Sequence, residues 1–218
     1  KSAMWAYSAG RAAWLLWDRL DPKLQWLAAR MISDEADRFI DKTPPTQVLL
    51  DTKAEENAWD STVIALACNM FPHHPHRAIW QQTALRWQIS SFTTAADVKS
   101  DRLIDGKPLN AWLTGPNMHD DYTLENHSRV HPDYMGTIRI NLHQKLVYDW
   151  AGNPEPQSLT FNTQKVYANL KKLALPDGNF VYPNGQDWQR HRNADWLDLN
   201  TLMADEQNDA QAARLMRI

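Results

Sequence analysis

Glycine is scarce in this sequence, cysteine almost absent, and neither a long apolar run nor a basic excess occurs. The chain of 218 residues holds seven glycines and one cysteine. With Cys68 alone, no intrachain disulfide can form, and its position in an apolar helical pattern reads as that of a small core residue. No glycine-rich phosphate cradle and no G-x-S-x-G elbow are present, so nucleotide and acyl-enzyme chemistries lack their motifs. No stretch of about 18 apolar residues occurs, which removes a membrane-spanning helix. The net charge is −3 with no clustered Lys/Arg stripe, so a phosphate-tracking surface is not expected. Neither nucleic acid nor membrane is therefore expected as a partner.

What the chain does have is tryptophan, eleven of them. Indoles fill seams between large helices, and a few can stack on sugar rings in a cleft; most of the eleven are expected in the core. The sequence opens at Lys1 rather than at Met, which reads as a processed form or a piece of a longer chain with partner domains or segments outside it.

Helical spacing organises the rest. Trp5, Ala9, Ala12, Ala13, Leu16 and Leu20 predict a mostly buried helix over residues 4–20. Asp21-Pro22 supplies a cap and a first-turn proline for a second helix to about Ile40, with Leu24, Leu27, Ala28, Met31 and Phe39 inward. Thr43-Pro44-Pro45-Thr46 breaks the chain into a connector. A third helix follows, capped by Asp51 or Thr52, with Trp59, Val63, Leu66 and Met70 as its stripe. Glu56 falls on the same face and Asn57 beside it, at the mouth end. His73-His74-Pro75-His76 reads as a helix start rather than a zinc site, because a metal needs ligands converging from supported positions. A fourth helix reaches about Phe92, Asp105-Gly106 marks a turn, and Pro108 restarts a short helix. A long helix is expected from Pro132 to about Trp150, another over residues 157–173, and a last helical region from Ala194, interrupted between Asp205 and Asp209. Phe180-Val181-Tyr182 is the only extended run expected.

Two polar clusters stand out at helix ends. Residues 125–134 bring an acid, an amide, two imidazoles, a guanidinium and a phenol together where a loop runs into a helix: Glu125, Asn126, His127, Arg129, His131 and Tyr134. Pro132 suits the first helical turn, which turns Tyr134 inward. The second cluster holds Asn184, Asp187, Trp188, His191 and Arg192. Seven or more helices joined as antiparallel pairs, with polar clusters at corresponding ends, predict an all-α fold, an (α/α) toroid or incomplete toroid. Residues 1–218 form one such domain, whose long polar loops line a cleft.

Amides, imidazoles, a tyrosine and arginines, without metal or cofactor motifs, suit carbohydrate chemistry. β-Elimination next to a uronic acid needs the carboxylate neutralised, a base for the C5 proton and an acid for the departing oxygen. Asn126 and His127 suit the first task; His131 or Tyr134 suits proton transfer. The helix pairs, the tryptophan content and Asn-His followed closely by Tyr resemble the (α/α)-toroid polysaccharide lyases, including the heparinase II/III-like group. That resemblance implies a uronate-containing polysaccharide or oligosaccharide as substrate, no cofactor, Asn126 and His127 as the neutralising pair, and Tyr134 as the proton-transfer residue. It further implies His191 and Arg192 as cleft residues and a periplasmic or secreted setting; the polar clusters themselves offer Glu56, Asn57, Arg129, Asn184, Asp187 and Trp188 as substrate-binding candidates. Two alternatives stay open: a glycoside hydrolase using Glu56 and Asp187 as its carboxylate pair, and a non-catalytic glycan-binding or scaffold domain.

Overall fold

The computed structural model describes residues 2–185 and 193–216. The chain builds α1 (Ser2–Leu15), α2 (Pro22–Asp37), α3 (Ala54–Met70), α4 (Arg77–Ser91) and the short α5 (Ala95–Val98). A small hairpin follows, β1 (Leu103–Ile104) with β2 (Lys107–Pro108), and then α6 (Leu109–Trp112). A second hairpin, β3 (Glu125–Asn126) with β4 (Arg129–Val130), leads into α7 (Pro132–Met135), α8 (Ile138–His143), α9 (Lys145–Ala151), α10 (Thr163–Leu170), α11 (Asn193–Glu206) and α12 (Ala210–Leu215). About 60% of the chain is helical and 5% strand, an all-α protein.

α3 is the centre of the fold. Val63, Ile64, Ala65, Leu66 and Ala67 are consecutive and all without exposed surface, and five successive residues point to every side of a helix. α1, α2, α4, α8 and α9 pack around it. A single apolar stripe is therefore too narrow a description of this helix.

The first two helices correct the expected burial. α1 meets α3 through Ala3, Ala6, Tyr7 and Gly10, while Trp5 is 67% exposed and Leu16 also faces out. A Cβ at Gly10 would lie 2.6 Å from Leu66 Cδ2 and 2.9 Å from Ile32 Cδ1, so close approach of a small-residue seam decides which face turns in. α2 starts as expected, with the Asp21 side chain accepting from Leu24 N at 3.0 Å and Pro22 in the first turn. It buries Ile32 and Ala36 and leaves Leu24, Leu27 and Met31 exposed. The tryptophans divide the same way: Trp80, Trp87, Trp112 and Trp196 are buried, whereas Trp5 and Trp26 lie on the surface.

The long helix expected from Pro132 to Trp150 is three pieces. The Thr137 hydroxyl takes the Tyr134 carbonyl, and at Gly136 a Cβ would stand 3.1 Å from the Trp196 ring, so the chain bends around that indole. Residues 157–173 are likewise split, at Asn162, whose φ is +58°. The run Phe180–Tyr182 contributes only a bridge, Phe180 to Ala174.

A fully buried polar network sits between α3, α4, α8 and the start of α9. Gln144 Nε2 donates to Ser61 Oγ (2.7 Å), Gln88 Nε2 donates to Gln144 Oε1 (2.8 Å), and Ser158 Oγ donates to Gln88 Oε1 (2.7 Å). Replacing one member strands the others without water. Gln144→Leu is expected to lower the unfolding free energy by about 2–4 kcal/mol in denaturant titrations.

On the other flank α8 is tied to α11: His143 Nε2 contacts Asp198 Oδ2 at 2.8 Å, and Arg139 contacts Asp195 at 2.8 Å. Burial opposes ionisation of Asp198, but the His143 hydrogen bond and the charges of His143 and Arg139 outweigh it and hold the carboxyl below its ordinary value. A depressed carboxyl stabilises the fold above its unfolded pKa, near 3.9, and that contribution goes as pH falls through the folded pKa. Wild type should therefore be more stable than Asp198→Asn at neutral pH, and thermal melts should show the gap closing below about pH 4.

Candidate functional site

The stretch expected to be a loop is a tight hairpin. β3 and β4 pair with Asn126 opposite Arg129, leaving His127 and Ser128 as a two-residue turn. Their φ angles are +51° and +63°, the pattern of a type I′ turn that ordinarily selects Asn-Gly. Two side chains thus sit in the left-handed region, and the surroundings must hold them there. The connector from Gln47 does so: Ser128 N donates to Leu50 O (2.8 Å), Thr52 N to Glu125 O (2.9 Å), and Leu50 N to Glu125 Oε2 (2.8 Å).

Asp51 joins the hairpin to α3. Its Oδ1 accepts from Asn126 Nδ2 at 2.8 Å and its Oδ2 from Lys53 Nζ at 2.6 Å, while Lys53 also reaches Glu56 Oε1 at 3.1 Å. Burial works against the Lys53 ammonium, but the hydrogen bonds and charges of Asp51 and Glu56 outweigh it and raise its pKa above the ordinary value. Glu56 is therefore half of a carboxylate–ammonium–carboxylate chain, and Asn126, itself buried, is that chain's link to the turn. The Asn126 Oδ1 atom, buried with it, accepts no hydrogen bond among the described residues.

Past the turn, three rings close on one another. His127 and His131 have centroids 5.7 Å apart, His127 and Tyr134 5.6 Å, and His131 and Tyr134 5.0 Å, all edge to face. Tyr134 Oη lies 3.4 Å from His127 Nε2. His127 is exposed, Tyr134 almost covered, and His131 wholly buried. His131 therefore packs against the other two rings from within. Pro132 takes the first turn of α7 and Tyr134 faces inward, as the sequence predicts.

No family model, curated protein or solved structure matches this chain. The arrangement must therefore be read from its own geometry. Arg129 Nη1 donates to Asn184 O at 3.2 Å and Nε to His127 O at 3.3 Å, so the second cluster's first residue stands beside the turn. Tyr182 Oη donates to Asp133 Oδ1 (2.7 Å) and accepts from Trp196 Nε1 (3.1 Å), seating the 176–185 segment on α7 and α11. Asp187, Trp188, His191 and Arg192 lie outside the described residues. Asn57 lies in the interior. It has no exposed surface, and its amide donates to the carbonyls of Pro45 (3.0 Å) and Ser90 (3.2 Å), fastening the connector to α4.

Sequence reasoning missed three participants. Asp51, read as a helix cap, instead holds Asn126 across 75 positions of sequence, and Lys53 was not singled out. His119 Nε2 contacts Glu125 Oε1 at 2.9 Å, a hydrogen-bond partner six residues away. The carboxylate spacing Asp51, Glu56 around Lys53 was the only local signal. In chemical terms the site offers an exposed imidazole with a phenol at its back and an amide held by a carboxylate, a setting for proton transfer.

If Asp51 fastens the turn, Asp51→Ala should speed amide hydrogen exchange at Thr52 and Ser128 roughly tenfold, the loss of one charge-assisted bond. Exchange at Leu66 and Ala67 should not change.

Proposed function

We propose that this protein is a polysaccharide lyase that cleaves a uronic-acid-containing glycan by β-elimination, on an incomplete (α/α) toroid of the heparinase II/III-like kind. The observation that carries the reading is the graded exposure of the ring cluster: His127 at the surface, Tyr134 Oη 3.4 Å behind it, and buried His131 bracing both.

The uronate carboxylate meets the exposed His127, whose imidazole helps neutralise it and acidify the C5 proton, while Asn126, buried and held by Asp51, braces the turn that presents that ring. Tyr134 Oη takes that proton as it gives its own to His127 Nε2. The C5–H electron pair forms the C4–C5 double bond, the C4–O bond breaks, and the departing oxygen takes its proton from Tyr134 Oη, which recovers its own from His127 Nε2. Products are a 4,5-unsaturated uronate and a new hydroxyl end. Arg129, beside the turn, brings a positive charge for an anionic sugar. The hydrolytic alternative has less support, since Glu56 is engaged by Lys53.

Elimination creates a chromophore absorbing at about 235 nm, whereas hydrolysis releases reducing ends without it, so a panel of uronate polymers separates the two. Tyr134→Phe should lower the initial rate by roughly 10²- to 10⁴-fold, the usual contribution of a positioned acid–base group, at a nearly unchanged thermal midpoint. Release of reducing sugar without absorbance would overturn the reading, and equal loss of fold and activity would make Tyr134 a core residue.

A further inference from the structure

Away from the β3–β4 hairpin, an open cavity of about 470 Å³ lies between β1 and the start of α10, with Gln207 at its rim. That volume is in the range of small-ligand sites. Its lining includes two cations, Arg102 and Lys165, and no acidic residue, in a chain whose net charge is −3. Each cation is mounted on an aromatic ring: Arg102 Cζ is 5.4 Å from the Phe161 centroid, and Lys165 Nζ is 4.7 Å from that of Tyr122. Lys165 also donates to the Tyr122 hydroxyl at 2.8 Å, and neither cation is paired with a carboxylate among the described residues.

Two carboxylates near the wall are already taken up. Asp105 accepts from Gln157 N (2.8 Å) and Ser158 N (2.9 Å), and Asp97 Oδ2 accepts from Asn162 Nδ2 (2.8 Å) and from Thr94. Around the cations stand the amides of Gln157, Gln164 and Gln207, with Gln164 Nε2 donating to Gln207 Oε1 at 2.9 Å. A guanidinium offers a planar fork to carboxylate or sulfate oxygens, an ammonium a point charge, and amides match sugar hydroxyls as both donors and acceptors. Lys165 is also tied through Tyr122, whose N donates to His119 O at 2.9 Å, to the loop that enters β3.

We infer that this cavity is a second binding site, for an anionic sugar unit of a glycan chain, separate from the His127–Tyr134 cluster. The inference rests on the reading of the substrate as an acidic glycan. It assigns Arg102 and Lys165 to the anionic group and the glutamines to the ring hydroxyls.

Calorimetric titration of the full chain in a Tyr134→Phe background tests it with three probes: oligogalacturonate, heparin oligosaccharides and neutral dextran oligosaccharides. Arg102→Gln with Lys165→Gln should weaken binding of an acidic probe about tenfold. Arg102→Lys with Lys165→Arg should bind within about threefold of the parent, which separates lost charge from lost fold. Preference for oligogalacturonate assigns the site to carboxylate, preference for heparin to sulfate. Unchanged affinity in the glutamine variant, an equal loss for dextran, or no binding of either acidic probe overturns the site. The two readings fail separately. Cleavage by the wild type with unaltered binding in the glutamine variant sinks only the second site, and charge-dependent binding without any cleavage sinks only the lyase reading.

Discussion

Five successive residues of α3, Val63 to Ala67, have no contact with solvent, and a helix closed on all sides tolerates polar groups only where they satisfy one another. Ser61, Gln88, Gln144 and Ser158 meet that demand as one connected set. Their pairing fixes how α4, α8 and α9 sit against α3 more narrowly than apolar burial alone would, because a shifted helix would leave amides unpaired in a dry interior. Small residues do the same on the opposite side, where Gly10 admits α1 to within contact of Leu66.

The candidate site inherits this rigidity at one remove. Asn57, one turn into α3, and Asn117 both donate to the Ser90 carbonyl at the end of α4, and Asn117 Oδ1 also accepts from Gln47 N at 2.8 Å. The connector 45–52 is thereby pinned to the core at one end and paired with the hairpin at the other. A turn with two side chains in the left-handed region is costly, about 1–3 kcal/mol for each such residue. Here the cost is met by bonds from Leu50, Thr52 and Asp51. The strained turn is also what points the His127 ring toward Tyr134.

Legibility in the sequence followed the range of the interaction. Asp21-Pro22, Asp105-Gly106 and Pro132 act within a few residues of themselves, and each is where the sequence places it. The inward side of Tyr134 was also readable, from Pro132 and helical spacing. The inverted faces of α1 and α2 were not. Leucine and tryptophan at helical spacing ordinarily mark a core, and only the approach of Gly10 to Leu66 and Ile32 reverses it. The β3–β4 hairpin was hidden because His-Ser is no turn signal, and its partners come from 75 residues away. The union of Arg129 with Asn184 spans 55 residues, beyond any local pattern.

Elimination turns on one chemical event, removal of the C5 proton by Tyr134 with His127 beside it. Competition between a uronate oligosaccharide deuterated at C5 and its protium counterpart reads that event directly. A normal primary isotope effect on kcat/KM, roughly twofold or more, is expected, since proton transfer lies in the barrier. Cleavage that proceeds with no discrimination, and with deuterium retained at C5 of the product, would contradict it.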